Sequence, residues 1–355
     1  MRVFVPLPDG TAAADWARRS ARGEVPDSSP YGLHHLRDHG FDVTFGDREL
    51  TGPWARVARS LRYRTSGLEP VEALLDLRRM SRGESDVVLA YDERTGVPAA
   101  LCAPHSRFAP VVTGIGWLTT REEAHPVQRR LASVALPRAA AVWTQCSAMV
   151  PVLSREWGVP GHRVHYVPLG IDTDFYPEQP WALATPTVAS AGEDRFRDHA
   201  LLVEAVRRTR DTVPEARLEL ATGLPVDLPD DLGTLYTGRM GGRMRDLYGR
   251  STAVAIALRP TRTGSGLTVV LEAMASGRPI VVTDNPGISE YVEHGVTGLL
   301  VPPDDVDAFA SALRELLADP DRARAMGRAA AEHARTAMTS AGMSAVLAGI
   351  LRASA

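Results

Sequence analysis

In this chain of 355 residues, the stretch from Ser251 to Val301 leaves the least freedom of fold. It reads STAVAIALRP, TRTGSG, LTVVLEAMASG, RPIVVTD, NPGISEYVEHG and VTGLLV in unbroken succession. The run Ala253 to Leu258 is apolar without alternation and is stopped by Arg259-Pro260, which suits a short strand covered on both faces. Ile280, Val281 and Val282 repeat the signal after Gly277, which stands where a helix C-cap glycine belongs. Strand, glycine loop, helix and strand in this order build a parallel sheet, so the fold class is α/β.

The helix inside this stretch, Leu267 to Ala275, is apolar on nearly every side yet carries one carboxylate, Glu272. Burying a carboxylate is costly unless it is paired or kept for a ligand. The loop Thr263-Gly264-Ser265-Gly266 offers backbone amides at the positive end of that helix, a means of holding phosphate without side chains. Two readings stand side by side. In one, phosphate sits at the helix end and Glu272 accepts ribose hydroxyls; in the other, Glu272 finds an arginine partner in the core and the glycines only make the turn.

The segment LTVVLEAMASGRPIVVTDNPGISEYVEHGVTGLLVPPDDVDAFASALRELLADP, with VPLGIDTDFYPE at Val167 to Glu178, resembles the donor-binding half and interdomain crossing of family 4 of the retaining glycosyltransferases. The resemblance covers most of the C-terminal half; the N-terminal half resembles the family only in its order of elements. It implies the GT-B fold, two Rossmann-like domains facing each other across a cleft. The expected boundaries are 1–172 for an acceptor-binding domain, on which a C-terminal helix 340–355 packs back, and 173–339 for a nucleotide-sugar-binding domain. The implied reaction moves a sugar from a nucleotide diphosphate donor, with uridine the favoured base, to a hydroxyl-bearing small molecule or lipid.

Composition sets the outer bounds of this reading. The chain holds 44% hydrophobic residues, enough for two cores, and a net charge of -3 with no basic run argues against nucleic acid or anionic membrane as the main partner. All 40 basic residues are arginine. Chemistry that needs a lysine amine, such as Schiff-base formation or the Walker A loop, is therefore excluded, and any cationic side chain on phosphate must be arginine. Cys102 and Cys146 are far apart and lack metal or redox spacing, which fits free thiols in a reducing compartment. Met1 to Pro6 enters directly into a strand and no apolar run approaches membrane length, so a cytoplasmic protein without a transmembrane segment is expected.

Along the N-terminal half, Val3 to Val5 reads as a strand, followed by a polar loop through Ser29-Pro30-Tyr31-Gly32, a helix to Arg37 and the strand in FDVTFGD. In the resembled family the loop after the first strand is Gly-rich and lies against donor phosphate and acceptor; Gly32 and Ser29 are the residues carried over. His35 and His39 stand four apart, but with no third ligand of matching spacing they read as a solvated pair. Pro53 to Met80 reads as two arginine-rich amphipathic helices. Asp92 follows the strand Ser85 to Ala90 and is either an acceptor contact or an N-cap. After the strand Pro110 to Thr113, the family's usual histidine is replaced by Gly114-Ile115-Gly116, whose amides can approach a sugar closely. Trp117 either offers its face to an acceptor or packs under the loop. Asp172-Thr173-Asp174 reads as a hinge turn in preference to a metal site.

In the C-terminal half, Asp198 is expected to cap the helix that begins at His199. The resemblance places Arg197 at the family's diphosphate lysine, with Arg195 assisting, and Gly264, Ser265 and Gly266 at the phosphates. Glu272 falls at the second of the family's two glutamates, on the ribose, while the first falls at Gly264. Thr237-Gly238-Arg239 lies where the nucleobase pocket forms, and Gly287 and Glu290 shape the pocket. Arg197 and Glu272 carry the expected catalytic roles, and neither a metal nor a cofactor is expected beside the nucleotide sugar. Two alternatives remain open at this level: an epimerase or hydrolase of nucleotide sugars on the same fold, and a non-catalytic glycosyltransferase-like partner subunit.

Overall fold

A computed structural model describes residues 1–47, 50–103, 106–181, 185–238 and 240–355. The chain divides into two compact units, one of 1–22, 26–168 and 340–355, the other of 23–25 and 169–339. Each unit is built on one six-stranded sheet in which every pairing is parallel.

The first unit contributes β1 (Arg2–Val5), β2 (Asp42–Phe45), β3 (Val87–Ala90), β4 (Val111–Ile115), β5 (Ala141–Thr144) and β6 (Val164–Tyr166), in the order β2-β1-β3-β4-β5-β6. Every residue of β3, β4 and β5 is buried, whereas edge strand β2 alternates. Apolar runs without alternation thus mark strands with helices on both faces, and alternation marks the edge. The final helix, Ser340–Ser354, packs against the segment Pro30–His39 of this unit, with Ser340 Oγ 2.8 Å from Asp27 Oδ2 and Ser344 Oγ donating to Gly32 O at 3.3 Å. Between β1 and that segment the expected polar loop contains a helix, Ala13–Ala21, that buries none of its residues. At nine residues and with none of them in the core, it is too short to stand out as a periodic run in the sequence.

The second unit contributes β7 (Thr187–Ala191), β8 (Arg217–Ala221), β9 (Gly233–Tyr236), β10 (Ala253–Ile256), β11 (Ile280–Thr283) and β12 (Gly298–Val301), ordered β12-β11-β10-β7-β8-β9. Counted from β7 this is the doubly wound order 3-2-1-4-5-6 of a dinucleotide-binding sheet. Its core gathers Val188, Leu218, Ala255, Val281 and Phe309, all at or near zero exposure. Arg278 is fully buried behind Gly277: its Nε donates to Tyr248 O at 2.7 Å and its Nη2 to Pro180 O at 2.7 Å and Gly249 O at 2.8 Å, and its guanidinium lies 4.6 Å over the Trp181 ring. Burial with few compensating charges lowers its pKa to about 10. Cys102 and Cys146 are free thiols, and among the described residues no helix is long and apolar enough to cross a membrane.

Candidate functional site

In a doubly wound sheet the two central strands send their chains off in opposite directions, and the crevice this opens at their carboxyl ends is where ligands bind. Here those strands are β7 and β10. The backbone beyond each is stitched to the other: Asp198 N–H donates to Ala257 O at 2.9 Å, Arg259 N–H donates to Phe196 O at 2.8 Å, and Arg197 and Leu258 form an isolated antiparallel bridge. Asp198 also caps the helix His199–Thr209 by accepting from Leu201 N–H at 3.0 Å. Stitch and cap together fix Arg197 over the mouth of the crevice.

The Arg197 side chain is only 5% exposed. It lies folded over Gly192, where an added Cβ would fall 2.1 Å from Nε, and beside Gly266, where one would fall 3.2 Å from Nη1. Both glycines also hold positive φ, 138° and 84°, which side-chain-bearing residues rarely adopt. The Gly192 carbonyl is pinned by Thr222 Oγ1 at 2.8 Å and by His199 Nε2 at 3.1 Å. A carbonyl only accepts, so Nε2 carries the proton of His199, whose pKa burial lowers. Arg197 Nε lies 2.9 Å from Asp194 Oδ2, an ion pair by distance, yet neither its Nε–H nor its Nη1–H is aimed at an acceptor. Burial lowers the pKa of Arg197, and Asp194 offsets part of that effect.

Across the crevice, the amides of Gly264, Ser265 and Gly266 have no acceptor among the described residues, and Gly266 is the N-cap of the helix Leu267–Ala275. Three open amides at a helix N-terminus and a buried, incompletely paired guanidinium are groups that an anion between them would satisfy. The Ser265 hydroxyl, however, donates to Asp194 Oδ1 at 2.8 Å, and the same oxygen accepts from Phe196 N–H at 3.0 Å. Asp194 is the residue of this loop that sequence reasoning passed over.

Glu272 is partly buried, and its carboxylate is held by two tyrosines: Tyr176 Oη donates to Oε1 at 2.8 Å and Tyr248 Oη to Oε2 at 2.6 Å. Neither partner is the arginine that one sequence reading supplied. Burial raises the Glu272 pKa and the two tyrosine hydrogen bonds oppose it. Each carboxylate oxygen keeps a further lone pair for a hydroxyl.

Arg195 is exposed and stacks its guanidinium 4.8 Å over the Phe196 ring. Gly287, with φ of 95°, and Glu290 bound the short turn Ile288–Glu290 beyond β11. Asn285 ties that turn to the β10 loop by accepting from Thr261 N–H at 3.2 Å and donating to Arg259 O at 3.1 Å. Thr237 and Gly238 are exposed at the carboxyl end of edge strand β9, separated from β7 by β8, and Arg239 lies outside the described residues.

In the first unit the carried-over residues are engaged within the fold. Ser29 is buried and its Oγ accepts from His34 N–H at 2.9 Å. A Cβ on Gly32 would stand 2.5 Å from Ser340 Cβ, so this glycine admits the final helix. Asp92 caps the helix Glu93–Cys102 by accepting from Arg94 N–H at 2.9 Å and pairs with Arg94 Nη2 at 2.6 Å. Gly114 is internal to β4, where a Cβ would lie 2.0 Å from Tyr91 O. The Gly116 amide, expected to be open to a sugar, is already taken: the buried carboxylate of Glu93 accepts from Gly116 N–H at 2.8 Å and Trp117 N–H at 2.9 Å. The Trp117 side chain is 50% exposed, so it does not pack under the loop.

Among the described residues, one group of three has ligand atoms close enough together for a metal ion, Asp27, His34 and His35, all within 4.8 Å of one another. It draws in His35 but not His39. His35 Nδ1 is 3.2 Å from Asp38 Oδ2, and the His34 Nδ1 is 3.2 Å from Ser29 Oγ. Asp172 Oδ1 accepts from Asp174 N–H at 3.1 Å and Phe175 N–H at 3.0 Å, so this carboxylate builds the turn.

Residues 185–319 match the family model of the glycosyl transferases group 1. The chain is 39% identical over 122 residues to a D-inositol 3-phosphate glycosyltransferase of Kribbella flavida, covering 34% of this chain and 27% of that protein. It is 34% identical over 198 residues to a GDP-mannose-dependent alpha-(1-6)-phosphatidylinositol monomannoside mannosyltransferase of Mycobacterium tuberculosis, covering 49% and 51%. The chain thus spans about half or less of the length of these relatives. Among solved structures, sucrose-phosphate synthase from Thermosynechococcus elongatus superposes with a TM-score of 0.74 at 16% identity over 99% of this chain and 98% of that one. Anabaena HepE in complex with UDP-glucose gives 0.71 at 16% identity over 99% of both. Two separate parallel sheets, each flanked by helices, give this chain a GT-B fold, and its residues 185–319, from β7 to the helix Val306–Ala318, are similar to the glycosyl transferases of group 1.

Proposed function

We propose that the chain is a retaining glycosyltransferase that transfers a sugar from a nucleotide diphosphate donor to a hydroxyl of a small molecule or lipid. The observation that carries this reading is Arg197: a buried guanidinium at the β7/β10 switch point with two N–H groups unaimed, facing three open amides. An anion with several oxygens and more than one charge satisfies both sides at once, and a diphosphate is such an anion. The second unit is the donor domain and the first the acceptor domain. Arg197 and the Gly264, Ser265 and Gly266 amides take the diphosphate, and Glu272 offers its remaining lone pairs to the ribose. Gly287 and Glu290 shape the sugar side, and Thr237 and Gly238 border the base.

As the sugar–oxygen bond breaks, negative charge grows on the departing diphosphate, and groups already aimed at it lower the barrier. The acceptor hydroxyl attacks from the face the diphosphate leaves, its proton passing to the departing phosphate oxygen as the new sugar–oxygen bond forms, which keeps the anomeric configuration. These groups neutralise the leaving group without a divalent ion. Among the relatives one uses a GDP-mannose donor and one solved neighbour holds UDP-glucose; uridine is the base we favour.

Incubating the protein with UDP- and GDP-linked hexoses and inositol- or lipid-type acceptors, with and without EDTA, tests the reading. Proton NMR of the product reports the anomeric configuration. The expected result is a glycoside with the donor's configuration, formed equally with EDTA. Donor consumption without acceptor would favour a hydrolase or epimerase. Nucleotide binding without turnover until a partner protein is added would favour a non-catalytic subunit, a reading kept alive by Gly264 standing where the family carries a carboxylate.

A further inference from the structure

The Asp194 carboxylate occupies the ground on which the proposed diphosphate must land. One oxygen lies 2.9 Å from Arg197 Nε, and the other accepts from Ser265 Oγ at 2.8 Å, so one anionic group bridges the two loops across the crevice. Its side chain is 11% exposed, which shields the pair from water. The local chain holds it there lightly: Asp194 Oδ1 accepts from Phe196 N–H at 3.0 Å and its carbonyl from Arg197 N–H at 3.1 Å, the bonds of a single turn. Arg197 is nevertheless left with two donors unaimed, so the carboxylate fills the position without saturating it.

We propose that Asp194 is an internal stand-in for the donor's diphosphate, which the nucleotide must displace from Arg197 and Ser265 in order to bind. The inference rests on the donor-site reading above and adds a regulatory element to it. A carboxylate and a phosphate cannot share one guanidinium at contact distance without repulsion in a poorly solvated crevice. Binding of the diphosphate therefore includes rotation of Asp194 away, and its return helps expel the nucleoside diphosphate once the sugar has gone. Asp194 thereby lowers nucleotide affinity and favours product release.

Asp194→Asn tests this with the whole chain, because the amide oxygen still accepts from Ser265 and Phe196 while the charge is gone. Calorimetric titration with UDP, GDP and inorganic pyrophosphate should give affinities about tenfold tighter than the wild type, with stronger product inhibition by the nucleoside diphosphate. Asp194→Ala, which removes both charge and acceptor, should tighten binding in the same direction and guards against a local misfit of the amide. Affinities unchanged or weaker in both variants, with wild-type protein that does bind nucleotide, would overturn the proposal and make Asp194 a support for Arg197. Failure of wild type and both variants to bind any of the three ligands would instead overturn the donor-site reading, and this inference with it.

Discussion

At the scale of single residues, what each charged group touches decides what it can do. Arg197→Ala should lower kcat about a hundredfold to a thousandfold, the usual cost of losing one preorganised donor to the leaving group, with a smaller rise in donor KM. Arg197→Lys should recover part of the rate, since the charge stays while the forked geometry is lost. Gly192→Ala should imitate Arg197→Ala with Arg197 intact, because the new methyl would lie 2.1 Å from Nε and drive the guanidinium out. Equal activity of wild type and Gly192→Ala would mean that the observed pose of Arg197 is not the working one. Glu272→Gln faces two tyrosine hydroxyls with only one acceptor, so it should cost about 1–2 kcal/mol of stability in a denaturant titration. If the remaining lone pairs serve ribose, the same variant should also weaken nucleotide binding by about tenfold. A stability loss alone would give Glu272 wholly to Tyr176 and Tyr248.

At the scale of elements, loops at the carboxyl ends of strands do the work and the strands hold them still. Glu93, on the helix after β3, holds the turn after β4 by two amide hydrogen bonds. Glu93→Gln sets an amide N–H against one of those donors, and an unsatisfied buried donor costs about 1–3 kcal/mol. Amide exchange at Gly116 and Trp117 should accelerate in that variant while the sheet amides keep their protection; unchanged exchange would show that the turn stands without Glu93. How much was legible in the sequence follows the same division. Strands β3, β10 and β11 announced themselves as unalternating apolar runs because parallel strands are covered on both sides. The glycine loop Thr263 to Gly266 and the helix after it were legible too, because glycine and helix start leave local signals. The partners of the charged groups were not: Glu272 meets Tyr176 and Tyr248, 96 and 24 residues away in sequence, and periodicity carries no information on such pairs. Asp194 was adjacent to residues singled out, but which member of a tight turn points inward depends on its dihedral angles.

At the scale of the whole molecule, the buried carboxylates of the first unit give stability a pH dependence of definite sign. Burial pushes Glu69 up to about 7, with Arg62 and the Asp9 amide opposing, and burial raises Glu93 as well. A carboxyl whose folded pKa exceeds its unfolded value of about 4.3 is protonated in the native state and ionised in the unfolded one between the two. Its contribution is present below the unfolded value and is lost as pH rises through the folded value, at up to about 1.4 kcal/mol per pH unit for each group. His165 and His199, which burial holds below the ordinary histidine value, act with opposite sign over part of the same window. The comparison of wild type with Glu69→Gln cancels the histidines: the difference in unfolding free energy should change between about pH 5 and 7, and a constant difference would mean that Glu69 ionises normally.

The most direct test of the central claim, that the β7/β10 crevice holds a nucleotide diphosphate through Arg197, is calorimetric titration of UDP and GDP into the wild type and into Arg197→Ala, with EDTA present. At least one of the two nucleotides should bind the wild type saturably, with affinity reduced at least about tenfold in the variant, the equivalent of one charge-assisted hydrogen bond. Equal affinity in both proteins, or no binding to either, would contradict the claim.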